Sequence, residues 1–392
     1  MRIGIDCRSI LAPKSGEFAG VGHYTHFLVK HLLQLDHENE YVLFFDRAGA
    51  AAAKREIVAG RENTRTRLIP FLALKRHLPF VYSHLFISSV FAKEKLDLLH
   101  APANSLPLFY KGPSVVTIHD LAVYDHPEWF PGELPGGQTF STRIVVPRSV
   151  SAARRVIAPS ECTKRDLVSI FHADPSRIDV VPEGSEEKRP PTDAEGRVAR
   201  FGLTPGNYAL FVGTLEPRKN IPAAVHAFAR AALRGWLPDD AVFAIAGARG
   251  WKEGPIIEAV TQANVKLGCE RVRLLGYVSH EDKISLMAKA RVFVFPSLYE
   301  GFGLPIIEAM RLGVPVIASN TSSIPEMADG AARLVHPKDE EGIEEALRDV
   351  FGSDELATRA AKEGVERGRL FTWDRTAEMT LTVYRKAVRK RS

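Results

Sequence analysis

Cysteine is scarce in this chain of 392 residues: Cys7, Cys162 and Cys269 stand far apart, with no Cys-x-x-Cys spacing. That excludes a disulfide framework and a cysteine-based zinc site, and a reducing compartment is the expectation. Long apolar runs are also missing. The nearest candidate is broken by Lys75, Arg76 and Lys93, well short of the ~20 residues a bilayer span requires. The amino terminus, MRIGIDCRSI, enters a strand-like pattern with no basic and apolar leader, so a cytoplasmic location is expected. Charge of one sign is not in large excess. The formal net charge of +5 lacks the dense basic stripes of a nucleic-acid binder, so no nucleic acid is expected as a partner, while an anionic ligand fits. A dinucleotide fingerprint is absent as well. Gly20-Val21-Gly22 opens a helical pattern, but G-x-G-x-x-G needs glycine at 25, where Thr25 stands.

What is present is ordinary for a folded protein: 45% hydrophobic and 25% charged residues, over a length that suits two domains. Short β-branched runs alternate with longer helical patterns, the signature of an α/β fold with parallel sheets. The strand candidates are Arg2–Asp6, Tyr41–Phe45, Leu96–His100, Ser114–Ile118, Arg155–Ala158 and Ile178–Val181, then Tyr208–Val212, Val242–Ala246, Val272–Leu275, Val292–Phe295, Val314–Ala318 and Ala332–Val335. Between the two series lies a polar stretch rich in proline and glycine. The expected division is therefore a first doubly wound domain over 1–186, a linker over 187–207, a second doubly wound domain over 208–371, and a final helix over 372–392 with Thr372 as N-cap.

In open α/β sheets ligands bind beyond the carboxyl ends of the strands. Phe295-Pro-Ser-Leu-Tyr-Glu-Gly-Phe-Gly-Leu-Pro-Ile-Ile-Glu-Ala-Met310 reads as strand, glycine-rich loop and helix start, with Pro305 in the first turn. Free amides around Gly303 and Leu304 favour a phosphate, and Gly301 and Phe302 of the same turn are donor-binding candidates. Glu300 lies in the loop and Glu308 about one turn into the helix. That separation suits a ligand with a sugar at one end and a ribose further along better than it suits a glycosidase carboxylate pair. The plain alternative is a solvated loop residue and a residue that complements the helix dipole.

This stretch resembles the signature of family 4 glycosyltransferases, nucleotide-sugar-dependent retaining enzymes of the GT-B fold. Other segments fall in that family's order: Gly20-Val21-Gly22, Val116-Thr-Ile-His119-Asp120, Ala158-Pro-Ser160-Glu161, Gly213-Thr-Leu-Glu-Pro-Arg218-Lys219-Asn220 and Leu275-Gly-Tyr277-Val278. The resemblance spans essentially the whole chain. It implies two Rossmann-like domains facing across a cleft, with the last helix crossing back to the first. It also implies His119 over the donor sugar, Glu300 on that sugar and Glu308 on the ribose, with Gly20, Val21, Gly22, Tyr277 and Val278 beside the donor.

Arg218 and Lys219, in a loop after a strand, can pair a diphosphate in place of a divalent metal; the alternative is a solvated basic pair. No Asp-x-Asp occurs in the chain, in keeping with a metal-free reaction, and no cofactor is expected beyond the nucleotide diphosphate sugar as substrate. The stretch HDLAVYDHPEWF resembles mannosyltransferases of surface-polysaccharide assembly, which makes GDP-mannose the first donor to test and a UDP-sugar the second. Two departures from the usual family pattern stand out. Glu183-Gly184 occupies a place where Asn-Gly is common, and Thr214 a place where some relatives have arginine.

On the acceptor side, Tyr124 and Trp129 read as a wall for a glycan or lipid-linked acceptor. Arg65–Tyr82 mixes basic and bulky apolar residues, as a surface resting on the inner face of a membrane does; an ordinary loop and core helix with a basic rim is the alternative. Three rival functions are a GT-B nucleotide-sugar epimerase, a dinucleotide-dependent oxidoreductase, which the failed glycine fingerprint disfavours, and a non-catalytic glycan-assembly subunit.

Overall fold

The computed structural model describes residues 1–10, 20–46, 57–58, 61–70, 77–78, 80–132 and 138–389. Parts of the Arg65–Tyr82 and Tyr124–Pro135 stretches thus lie outside the described residues. The chain divides into two units. The first comprises 1–125, 133–184 and 372–392; the second comprises 126–132 and 185–371.

The first unit holds a seven-stranded parallel sheet: β1 (Arg2–Asp6), β2 (Glu40–Phe45), β3 (Thr64–Leu68), β4 (Leu98–Ala101), β5 (Ser114–Thr117), β6 (Arg155–Ala158) and β7 (Ile178–Val180). Their order is β3-β2-β1-β4-β5-β6-β7. Because side chains alternate across a strand, each strand supplies two cores. Ile3, Ile5, Tyr41, Leu43 and Phe45 pack with Tyr24, Leu28, Trp373 and Tyr384. Val42, Phe44, Leu99 and Val116 pack on the other face with Tyr82, Ile87 and Phe91. Strand β3 has no counterpart among the expected strands. Its sequence, TRTRL, has no apolar run because it is an edge strand, paired only to β2 and largely exposed.

The second unit holds β8 (Tyr208–Val212), β9 (Val242–Ala246), β10 (Val272–Gly276), β11 (Val292–Phe295), β12 (Val316–Ser319) and β13 (Arg333–Val335), ordered β10-β9-β8-β11-β12-β13. Both sheets therefore reverse direction of winding between their first and fourth strands, the topological switch point where α/β proteins form crevices. Residues 187–207, expected as a linker, belong to the second unit and carry a helix, Ala194–Ala199. Val198 and Leu203 are buried in that unit's core, and Arg197 bonds Asp282 at 3.0 Å. Two well-spaced apolar residues in a polar stretch leave no period to detect.

The final helix, Trp373–Val388, belongs to the first unit. Thr372 caps it by accepting from the Arg375 amide at 3.3 Å. Trp373 stacks on Phe27 with ring centroids 5.7 Å apart, Asp374 meets His31 Nδ1 at 2.6 Å, and the Thr376 hydroxyl donates to the Pro182 carbonyl at 2.8 Å. Each large apolar side chain buried this way stabilises the unit by about 1.5–3 kcal/mol.

Candidate active site

In the second unit the loops following β8 and β11 flank the switch point. After β8 the chain makes a tight turn, Pro217–Lys219, and Asn220, at φ 51°, redirects it into the helix Ile221–Leu233. The Asn220 amide group donates to the carbonyls of Pro296 (3.2 Å) and Pro337 (2.7 Å), and the Leu298 amide donates to the Arg218 carbonyl at 2.7 Å. These bonds tie the two loops together. The neighbouring loop after β9 also approaches closely: a Cβ at Gly247 would lie 1.8 Å from the Gly213 carbonyl oxygen, so only glycine fits.

The expected residues of these loops meet in one ionic cluster. Lys219 Nζ donates to Glu300 Oε1 at 2.5 Å; Arg218 donates to Glu300 Oε2 at 3.0 Å and, through Nε, to Glu216 Oε1 at 2.6 Å. Two cations and two carboxylates balance. Burial pushes the Glu300 carboxyl up, but the charges of Lys219 and Arg218 outweigh it and hold the group below its usual range. The loop after β12 fixes Glu300 by its backbone. Ser322 Oγ accepts from the Glu300 amide (2.7 Å) and donates to its carbonyl (2.6 Å), which also accepts from Ser323 at 2.9 Å.

The helix Leu304–Arg311 begins beside Glu300, with Gly303 as N-cap at φ 103°, a left-handed conformation that a side chain would strain. No side chain caps this end; Pro305 has no N–H and the Ile306 amide donates to the Gly303 carbonyl at 2.9 Å, so the Leu304 amide is what the helix start offers an anion. Glu308, on the same helix, is buried at 5% exposure and bound by two lysines. Lys283 Nζ donates to both its oxygens, at 2.8 and 3.0 Å, and Lys188 donates to Oε1. Burial pushes this carboxyl up; Lys283 and then Lys188 pull it far below the carboxylate range. Of about four acceptor positions on a carboxylate, three are taken and one remains for a hydroxyl. Tyr277 and Val278 follow β10; Tyr277 is exposed and Val278 half-buried.

In the first unit His119 follows β5. Its Nδ1 lies 3.1 Å from Glu183 Oε1 and its Nε2 2.8 Å from the Pro102 carbonyl oxygen. Burial lowers its pKa, but the hydrogen bond and charge of Glu183, the Pro102 carbonyl and the Asp120 charge together outweigh it and hold the group above its ordinary value. Gly20 and Gly22 flank Val21 at the start of the helix Val21–Leu35, with no side-chain cap. Tyr124 lies in the first unit and Trp129 in the second. The Tyr124 hydroxyl donates to the Thr142 carbonyl at 2.6 Å within the first unit. Trp129 clusters with the second unit, stacked on His126 (3.9 Å) and accepting the Trp251 indole N–H at its carbonyl (2.8 Å).

Reasoning from sequence missed Glu216, Lys188 and Lys283, and marked Glu183 only as a departure from the family pattern. Glu216 lies inside the quoted Gly213–Asn220 motif, two residues before Arg218. Lys188 was hidden in the supposed linker, and nothing in the helix His280–Ala288 singles out Lys283.

A family model described as Glycosyltransferase Family 4 matches residues 18–189, and one described as Glycosyl transferases group 1 matches residues 200–367. A D-inositol 3-phosphate glycosyltransferase of a Nocardioides species is 31% identical over 79% of this chain and 68% of its own. The chain belongs to glycosyltransferase family 4. An O-antigen chain mannosyltransferase B of Escherichia coli aligns with 95% of this family 4 glycosyltransferase and 97% of itself, at 28% identity. Among solved structures, Anabaena HepE in complex with UDP and glucose superimposes with a TM-score of 0.72 at 18% identity, covering 98% of this chain and 100% of that one. A sucrose-phosphate synthase of Thermosynechococcus elongatus gives 0.71 at 23%, covering 98% of each. The fold of this family 4 glycosyltransferase is GT-B.

Proposed function

We propose that the protein transfers a mannosyl residue, with retention, from a nucleotide diphosphate sugar to a hydroxyl of a glycan or lipid-linked acceptor in surface-polysaccharide assembly. The observation that carries this reading is the Arg218–Lys219–Glu300 cluster beside the uncapped start of Leu304–Arg311. When the anomeric C–O bond breaks, its electron pair goes to the diphosphate. Arg218, Lys219 and the Leu304 amide at the helix start stabilise that charge, so no metal or other cofactor is required. Glu300 holds the donor sugar and Glu308 offers its remaining acceptor position to the ribose. The acceptor oxygen forms the new bond on the same face and its proton passes to the departing phosphate oxygen.

Mannose as the sugar is supported by the similarity to the Escherichia coli mannosyltransferase, and GDP-mannose as the donor by the HDLAVYDHPEWF resemblance; a UDP-sugar is the second donor. Contact with a membrane-borne acceptor fits the exposed Leu78, Phe80, Leu85, Phe109 and Phe140 of the first unit, among which the Phe80 and Phe140 rings lie 5.5 Å apart. Incubation with a panel of nucleotide sugars tests the reading. Acceptor-dependent release of GDP from GDP-mannose is expected, whereas consumption of a donor without any acceptor would favour an epimerase.

A further inference from the structure

His119 is held by two groups that only accept hydrogen bonds. Pro102 offers a carbonyl oxygen at 2.8 Å from Nε2, which must therefore carry a proton. Glu183 offers a carboxylate oxygen at 3.1 Å from Nδ1, which must carry one too when that carboxylate is ionised. An imidazole with both nitrogens protonated is an imidazolium. The pair is nearly enclosed, with 12% of each side chain exposed. The ring is fixed from a third side by Tyr24, edge-on at 4.6 Å and 83°, and the His119 amide donates to Asn104 Oδ1 at 2.8 Å.

We propose that Glu183 is a positioning residue that keeps His119 doubly protonated and locked, so that His119 serves the transfer as a fixed group and takes no proton from the acceptor. This rests on the reading of His119 as lying over the donor sugar. It bears on the mechanism: with both ring nitrogens committed to protein oxygens, the acceptor proton has the leaving phosphate as its destination.

The other ionisable groups around the ring agree. Asp120, next in the chain, adds negative charge that favours the imidazolium. His100 is fully buried and pushed down to about 3, by burial first and then by the His119 charge. It stays neutral, bonded to the Tyr384 hydroxyl (2.7 Å) and to Thr117 Oγ1 (2.8 Å), and so does not compete for the proton. Burial raises the Tyr24 hydroxyl and keeps it neutral. The network thus holds one cation and places it on His119. Glutamate at 183, 3.1 Å from Nδ1, is what makes that cation stable.

The test uses the full chain with ¹⁵N-labelled histidine, His119 being assigned by loss of its signals in His119→Gln. The wild type should show both ring nitrogens protonated at pH 7. Glu183→Gln should weaken proton binding by His119 about tenfold or more, and Glu183→Asp should restore much of it. In parallel, turnover of the wild type should be level between pH 6 and 8, while Glu183→Gln should lose turnover as pH rises through the lowered His119 pKa. A neutral His119 in the wild type at pH 7, or the same His119 titration in wild type and Glu183→Gln, overturns the proposal. A displaced titration with an unaltered turnover profile overturns the positioning role. Absence of any sugar transfer by the wild type would instead count against the proposed function, and the nuclear magnetic resonance result would still decide the ion pair.

Discussion

In the first unit, the groups around the ends of β4 and β5 are mainly imidazoles and hydroxyls: Tyr384, His100, Thr117 and Tyr24 form a hydrogen-bonded chain that ends against His119, which pairs with Glu183, while beyond β1 Arg8 pairs with Asp6 at 2.6 Å. In the second unit, the corresponding region is built from ion pairs, Arg218 and Lys219 against Glu216 and Glu300, and Lys188 and Lys283 against Glu308. Yet both sheets order their first six strands in the same way. Shared topology places loops, and the residues in those loops decide the chemistry. On the proposed reading the second unit binds the diphosphate of the donor, whereas the first holds His119 as a fixed group.

The strongest way to break this contrast is at Glu300. Glu300→Gln should lower turnover by about 100- to 1,000-fold, the range for losing a group that acts on transition-state charge. Affinity for the free nucleoside diphosphate should change little, as steady-state kinetics and calorimetry can check. Comparable losses in both quantities would show that Glu300 binds the diphosphate itself.

Next in size is the acid limb of stability. Glu308 has a folded pKa far below its ordinary 4.5, so its pairing stabilises the protein fully above that value and is lost as pH falls through and below it. Chemical denaturation from pH 6 down to pH 3 should show a decline that is shallower in Glu308→Gln. Identical slopes would mean that the lysines do not hold the carboxylate ionised. A smaller effect is expected in the first unit. Tyr384→Phe removes one of the two hydrogen-bond partners of the buried His100 and should cost about 1–3 kcal/mol of stability while nucleotide affinity stays the same. The smallest effect is that of chelation: EDTA should leave turnover unaltered, and rescue by Mn²⁺ or Mg²⁺ after a loss would oppose the metal-free reading.

Much of this was legible in the chain before any coordinates. Buried parallel strands are continuous apolar runs, so twelve of them could be placed; β3 escaped because an edge strand with one pairing partner need not be apolar. Glu300, Arg218 and Lys219 stood out as candidates because they follow strands in glycine- or proline-marked loops, and Glu308 because it lies on the helix that the Glu300 loop opens into. Their counter-ions were not, since Lys188, more than 100 residues before Glu308, and Lys283, 25 residues before it, reach it only through folding. Trp129 shows the same limit: its place with the second unit depends on Trp251, distant in sequence.

The central claim, that the second unit binds the donor through its diphosphate, is tested most directly by calorimetry of GDP and guanosine on wild type and Lys219→Ala. The account predicts that the variant binds GDP about 10- to 150-fold more weakly, equivalent to about 1.5–3 kcal/mol for a charge-assisted contact, and guanosine equally well. Equal affinity of the two proteins for GDP, with both folded, would contradict it.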